Sequence, residues 1–134
     1  MYLLDTMVLS ELRKKERNPN VAAWLSGRAD GELFINVVSV GEIAKGIAQK
    51  DKQDKVFAGT LRQWLDKLLL LYGDRILPVD VSIAKRWGEM SAQANYSGAD
   101  VLLAATAIEH GLSVVTRNVK HFKALGAKII NPWG

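Results

Sequence analysis

Between positions 101 and 108 the chain reads Val-Leu-Leu-Ala-Ala-Thr-Ala-Ile, a helix-length segment apolar on nearly every side. Such a helix has no face to offer water, so it must be covered by protein all round. The rest of the sequence provides the cover. Short apolar runs at Tyr2 to Leu4, Leu33 to Ile35, Ile76 to Leu77, Ser113 to Thr116 and Lys128 to Ile130 read as strands. Between them lie stretches of helical spacing: Val8, Leu9 and Leu12; Val21, Trp24 and Leu25; Val40, Ile43, Ala44 and Ile47 behind Ser39; Ile83, Trp87, Met90 and Ala94. Gly111 closes the apolar helix after His110. Strands alternating with helices imply crossover connections, and hence an α/β/α sandwich with a central parallel sheet of four to five short strands.

The 134 residues contain no Pro/Gly/Ser-rich linker, repeat or low-complexity segment, so a single domain over residues 1–134 is expected. The longest periodic segment, about 53 to 72, carries Val56, Phe57, Leu61, Trp64, Leu65, Leu68 and Leu69, with Leu71 and Tyr72 beyond and Gly73 as its stop. That stripe is wide for a domain of this size: it either packs internally or serves a partner. No apolar run is long enough to span a membrane. The start, Met1-Tyr2-Leu3-Leu4-Asp5, lacks the basic and apolar regions of a signal peptide, so a cytoplasmic location is expected. There is no Cys, which excludes disulfides and thiolate zinc sites. Lys and Arg number 18 against 14 Asp and Glu, a net +4 that suits a polyanionic partner and equally suits ordinary solubility.

In parallel sheets the chemistry sits beyond the carboxyl ends of the strands. Four polar residues fall there: Asp5 ends the first strand, Glu42 lies in the first turn after the second, Asp100 opens the apolar helix, and Asn118 follows the strand ending at Thr116. Taken singly, each acid has a capping explanation. Ser39-Val40-Gly41-Glu42 and Ser97-Gly98-Ala99-Asp100 both fit a capping box, and Asp5 can N-cap the next helix. Taken together, converging carboxylates would repel and require a cation, and oxygen donors without Cys select Mg²⁺ or Mn²⁺. With only His110 and His121, a histidine zinc site is not expected; His121 reads as a loop or surface residue. There is no P-loop, G-x-G-x-x-G or G-x-S-x-G, and Met7 stands where a haloacid-dehalogenase phosphatase needs a second Asp.

Leu3-Leu4-Asp5-Thr6-Met7-Val8-Leu9-Ser10-Glu11-Leu12 resembles the opening motif of PIN-domain proteins of the VapC toxin type. Ser39-Val40-Gly41-Glu42-Ile43 resembles their second motif, Ala99-Asp100-Val101-Leu102-Leu103-Ala104-Ala105-Thr106-Ala107 the third, and Val115-Thr116-Arg117-Asn118-Val119-Lys120-His121-Phe122 the fourth. Asn131-Pro132-Trp133 resembles the usual ending. No one motif is specific; the four in order are.

The resemblance implies a PIN-like fold and a ribonuclease, the toxin of a VapBC-type toxin–antitoxin pair. Asp5, Glu42 and Asp100 match the acids that hold Mg²⁺ or Mn²⁺, and Asn118 the fourth catalytic position. Thr6 and Thr116 match the small hydroxyl residues beside them. Arg117, Lys120 and Lys45 are candidate RNA phosphate contacts. The resemblance further implies a homodimer and a cognate VapB-type antitoxin that binds near Leu9, Leu12 and Trp24, places a cation among the acids and mediates any contact with operator DNA. In two places the chain departs from the family, with Met7 where an Asn is usual and His121 where an Asp is frequent. The alternative reading is an inert PIN-like nucleic-acid or partner-binding module whose acids only cap helices.

Overall fold

Two adjacent leucines set the layers. Leu3 and Leu4 are both fully buried on β1 (Tyr2–Leu4), and because neighbouring strand residues point to opposite faces they enter two different cores. The structure, a computed structural model describing residues 1–134, has seven helices around a five-stranded, all-parallel sheet. The sheet order is β3-β2-β1-β4-β5, with β2 (Leu33–Asn36), β3 (Ile76–Leu77), β4 (Ser113–Val115) and β5 (Ile129–Ile130). Tyr2 is in register with Leu33 on one side and Ser113 on the other.

On the face reached by Leu4 lie α1 (Thr6–Arg13), α2 (Pro19–Ser26), α3 (Val37–Asp51) and α4 (Lys55–Tyr72), closing over Val8, Leu9, Val21, Ile35, Ile43 and Leu68. On the face reached by Leu3 lie α6 (Ala99–His110) and α7 (Val119–Ala124), burying Leu103, Ala104, Ala107, Val114 and Phe122. A further helix, α5 (Val81–Ala94), packs along α6 and contributes Met90 to this core. The apolar helix is thus covered as expected, with Val101 and Leu103 to Ala107 all buried. Its C-cap is Gly111 at φ +67°, a conformation costly for residues with a Cβ.

Two helix starts differ from the capping boxes that the sequence suggests. Ser39 does not open α3. Asn36 caps it instead, its Oδ1 accepting from Val38 N at 2.7 Å, and Ser39 is fully buried inside the helix with its hydroxyl unpaired. Asn36 is itself buried and its Nδ2 donates to Thr106 Oγ1 at 2.7 Å, tying β2 to α6. The box expected at Ser97 is also absent: Gly98 caps α6 without a side chain. A Cβ at Gly98 would collide with the Tyr96 ring. Pro19 begins α2, where its missing N–H costs nothing and Asn18 caps. His121, expected in a loop or on the surface, lies instead in a helix, α7, which forms because buried Phe122 anchors it.

The stripe on α4 divides. Leu68 is buried, and Leu61, Trp64 and Leu65 pack against the core, but Val56 and Leu70 are each 85% exposed and Leu71 is 64% exposed. No helix is long and apolar enough to cross a membrane.

Candidate active site

The sheet order reverses at β1: β2 and β3 lie to one side, β4 and β5 to the other. At such a switch point the connections part and leave a crevice beyond the carboxyl ends. Asp5 leaves β1 there and Thr116 leaves β4 there. Asp5 N donates to Val115 O at 3.0 Å, and Thr116 Oγ1 donates to Asp5 Oδ2 at 2.8 Å. The other carboxylate oxygen, Oδ1, accepts from Thr6 N at 2.7 Å and caps α1. The capping role read from sequence therefore holds for Asp5, and it coexists with a place at the crevice.

The crevice is a cavity of about 570 Å³. Asp5, Thr6, Met7, Glu42, Asp100, Arg117 and Asn118 all line it, joined by Ser10, Glu11, Lys14 and Trp133. It therefore gathers residues that follow β1, β2 and β4, together with Asp100 from the start of α6. Glu42 Oε1 accepts from Thr6 Oγ1 at 2.7 Å, linking the first and second motifs. Thr116 is fully buried beneath the cavity; its Oγ1 also accepts from Asn118 N at 3.0 Å, which orients the turn after β4. Lys45 and Lys120 are exposed and stand outside the cavity wall.

Asp5 is 6% exposed, and burial pushes its carboxyl above the usual carboxylate value. The hydrogen bonds from Thr116 and Thr6 oppose the rise, while the charges of Asp100 and Glu42 add to it. Asp5 thus senses both of the other acids, although no three side chains stand within reach of a single ion. An all-oxygen donor set on a partly desolvated carboxylate cluster fits a hard divalent cation, which would offset the repulsion that Asp5 experiences.

Four residues of the site, Ser10, Glu11, Lys14 and Trp133, are not singled out as site residues by the sequence. Glu11 is buried, and the backbone N–H of Asn18 at 3.0 Å with Lys14 Nζ at 3.1 Å holds its carboxyl below the usual range. The available signal was an acid set between Leu9 and Leu12 in a short amphipathic helix. Lys14 completes that pair, and Trp133 closes the wall beside Arg117. His121 is not a free surface group: its Nε2 lies 3.2 Å from Asp100 Oδ2 without hydrogen-bond alignment. Met7 Sδ lies 3.9 Å from Thr116 Oγ1, so a thioether lies beside the hydroxyl that serves Asp5.

The PIN domain family matches residues 2–128. The chain belongs to the PIN-domain family. This PIN domain is 36% identical to the VapC ribonuclease Y4jK of Sinorhizobium fredii, covering 99% of this chain and 98% of that protein. It superposes on the crystal structure of FitAcB from Neisseria gonorrhoeae with a TM-score of 0.87 at 31% identity, over 99% of each chain. A structure of FitAB bound to the IR36 DNA fragment superposes with a TM-score of 0.86 at 30% identity, over 100% of this PIN domain and 96% of that chain.

Proposed function

We propose that this PIN domain is a divalent-cation-dependent endoribonuclease, the toxin of a VapBC-type toxin–antitoxin pair. The observation that carries the reading is the meeting of Asp5, Glu42 and Asp100, from three distant parts of the chain, in one cavity at the switch point of the sheet. These three would hold Mg²⁺ or Mn²⁺ partly through bridging waters, since their side chains do not converge on one point. When bound, the ion supplies a water activated at neutral pH and charge stabilisation at the phosphoryl oxygens. Thr116 and Thr6 fix the Asp5 carboxylate through both of its oxygens. Asn118 presents an amide at the cavity rim to orient water, and Arg117 meets a backbone phosphate. Lys45 and Lys120 are assigned to phosphates farther along the substrate. Hydrolysis by water needs no 2′-OH in its chemistry, so preference for RNA would rest on groove shape.

The inert-module reading draws on the structural duties of the same acids, the α1 cap at Asp5 and the Thr6 bond to Glu42. Incubation with single-stranded RNA separates the two. Cleavage that requires Mg²⁺ or Mn²⁺ and stops with EDTA is expected; folded protein that cuts no RNA with either ion would overturn the ribonuclease reading.

Partners follow from what the fold leaves outside. Val56, Leu70 and Leu71 on α4 are apolar and exposed, and a groove of about 270 Å³ runs between α1 and α4 past Leu12, Trp64 and Leu71. We assign these surfaces to a second copy of the chain and to the antitoxin, whose Arg or Lys would neutralise the acids. Operator DNA would be met only through that antitoxin. Leu12 and Trp24 remain half-buried and available, but Leu9, expected in the same groove, is fully buried and is not. The purified chain should sediment as a dimer at micromolar concentration, and a monomer there would remove the homodimer.

A further inference from the structure

The cavity that holds the acids is almost wholly polar, and one of its walls is not. Of its eleven lining residues only Met7 and Trp133 are apolar, and only Trp133 has a flat ring. The backbone that carries that ring is held in place. Trp133 N donates to Asn131 Oδ1 at 3.0 Å, Trp133 O accepts from Asn20 Nδ2 at 3.0 Å, and Pro132 before it is buried. The indole is half-buried against the core that includes Val21 and Leu33, so part of its surface remains open to the cavity. Over it lies the Arg117 guanidinium, 5.6 Å from the ring centroid. Arg117 is exposed and directly follows Thr116, whose hydroxyl bonds Asp5, so this planar pair stands beside the acid cluster.

A single-stranded nucleic acid whose phosphate reaches carboxylate-bound cations must place the neighbouring base somewhere. Unpaired bases are taken up by aromatic rings and by Arg guanidinium planes, which stack on any base without reading its edge. A guanidinium held over an indole offers both, with a positive charge at the same spot for the backbone. We propose that Trp133 and Arg117 form a stacking platform for one nucleobase of a single-stranded RNA, next to the phosphate that the acids address. Trp133 is a positioning residue here, with no role in the bond cleavage itself. The inference rests on the ribonuclease reading.

Binding is measured by fluorescence anisotropy of a labelled oligouridylate in an Asp5→Asn background, with Mg²⁺ present and with circular dichroism confirming the fold of each variant. Trp133→Ala and Trp133→Leu should each weaken binding by about ten- to a hundredfold, and Trp133→Phe should stay close to the parent. An abasic residue at one position of the oligonucleotide should reproduce the loss in the parent and add nothing in Trp133→Leu. Comparing alanine and leucine keeps the test open if alanine disturbs the packing of the chain end, because leucine retains more of the apolar bulk while still lacking the ring. Parent-like binding by Trp133→Leu overturns the platform, and so does an abasic penalty equal in both proteins. Wild-type protein that neither binds nor cuts RNA would instead bring down the ribonuclease reading, and Asp5→Asn protein that cleaves at the wild-type rate would remove the acid cluster from it.

Discussion

Asp5→Asn should lower RNA cleavage by on the order of a hundredfold or more while raising the melting temperature of the metal-free protein at neutral pH. The two effects share one cause. An Asn side chain can still accept from Thr6 N and keep the α1 cap, and Thr116 Oγ1 can accept from its amide, so the local hydrogen bonds survive. What disappears is a buried negative charge facing Asp100 and Glu42. Burial first, and those charges after it, raise the Asp5 carboxyl above its ordinary 3.8 in the folded state. A raised carboxyl stabilises the fold fully below the unfolded value and loses that contribution as pH rises through the folded value. The wild type should therefore fall behind Asp5→Asn increasingly as pH rises above the ordinary carboxylate value of 3.8, in thermal melts with EDTA present. Saturating Mn²⁺ should narrow the gap by stabilising only the wild type. If Asp5 served only as a cap, the substituted protein would keep its activity and show no such pH trend.

The second large effect lies in packing. Phe122→Ala should destabilise the protein by about 3–5 kcal/mol, a large share of the 5–15 kcal/mol that holds a typical domain together. Phe122 is fully buried among Leu3, Leu103, Ala107 and Val114, where two leucines and short alanines cannot fill the space it leaves. Urea denaturation should show a lower midpoint with an unchanged slope, and a loss below about 1 kcal/mol would mean that the site collapses around the gap. The effect should also reach the active site. The helix α7 has only six residues, and Phe122 is its one buried side chain. The same helix carries His121 to within 3.2 Å of Asp100, so loosening it should reduce cleavage even at temperatures where the protein remains folded.

The parts of this protein legible in the sequence are those written in local periodicity. The apolar stretch from Val101 to Ile108 demanded cover on all sides, and α6 has it. The short apolar runs gave the strands, since three residues such as Tyr2 to Leu4 suffice when both faces of a parallel sheet are buried. The acids Asp5, Glu42 and Asp100 stood out because they follow or open such segments, and their order matched a known family.

Tertiary contacts decided the rest. Whether Asp5 is a cap or a member of a charged cluster has no answer in its own neighbourhood, because the same carboxylate does both. Its second oxygen is held by Thr116, more than a hundred positions away, and the charges that raise its carboxyl come from other elements. The capping signals at Ser39 and Ser97 failed for a similar reason. Asn36 starts α3 earlier and binds Thr106 across the sheet, while α6 begins at Gly98, beyond Ser97, where the Tyr96 ring occupies the space of a Cβ. Glu11 and Trp133 reach the cavity only once α1 and the chain end are docked, and α7 exists because Phe122 has a core to enter. Sequence spacing fixes which face of one helix or strand is apolar. The meeting of groups from different elements depends on sheet order and crossover geometry, and here the reversal of strand order at β1 brings the acids into one cavity.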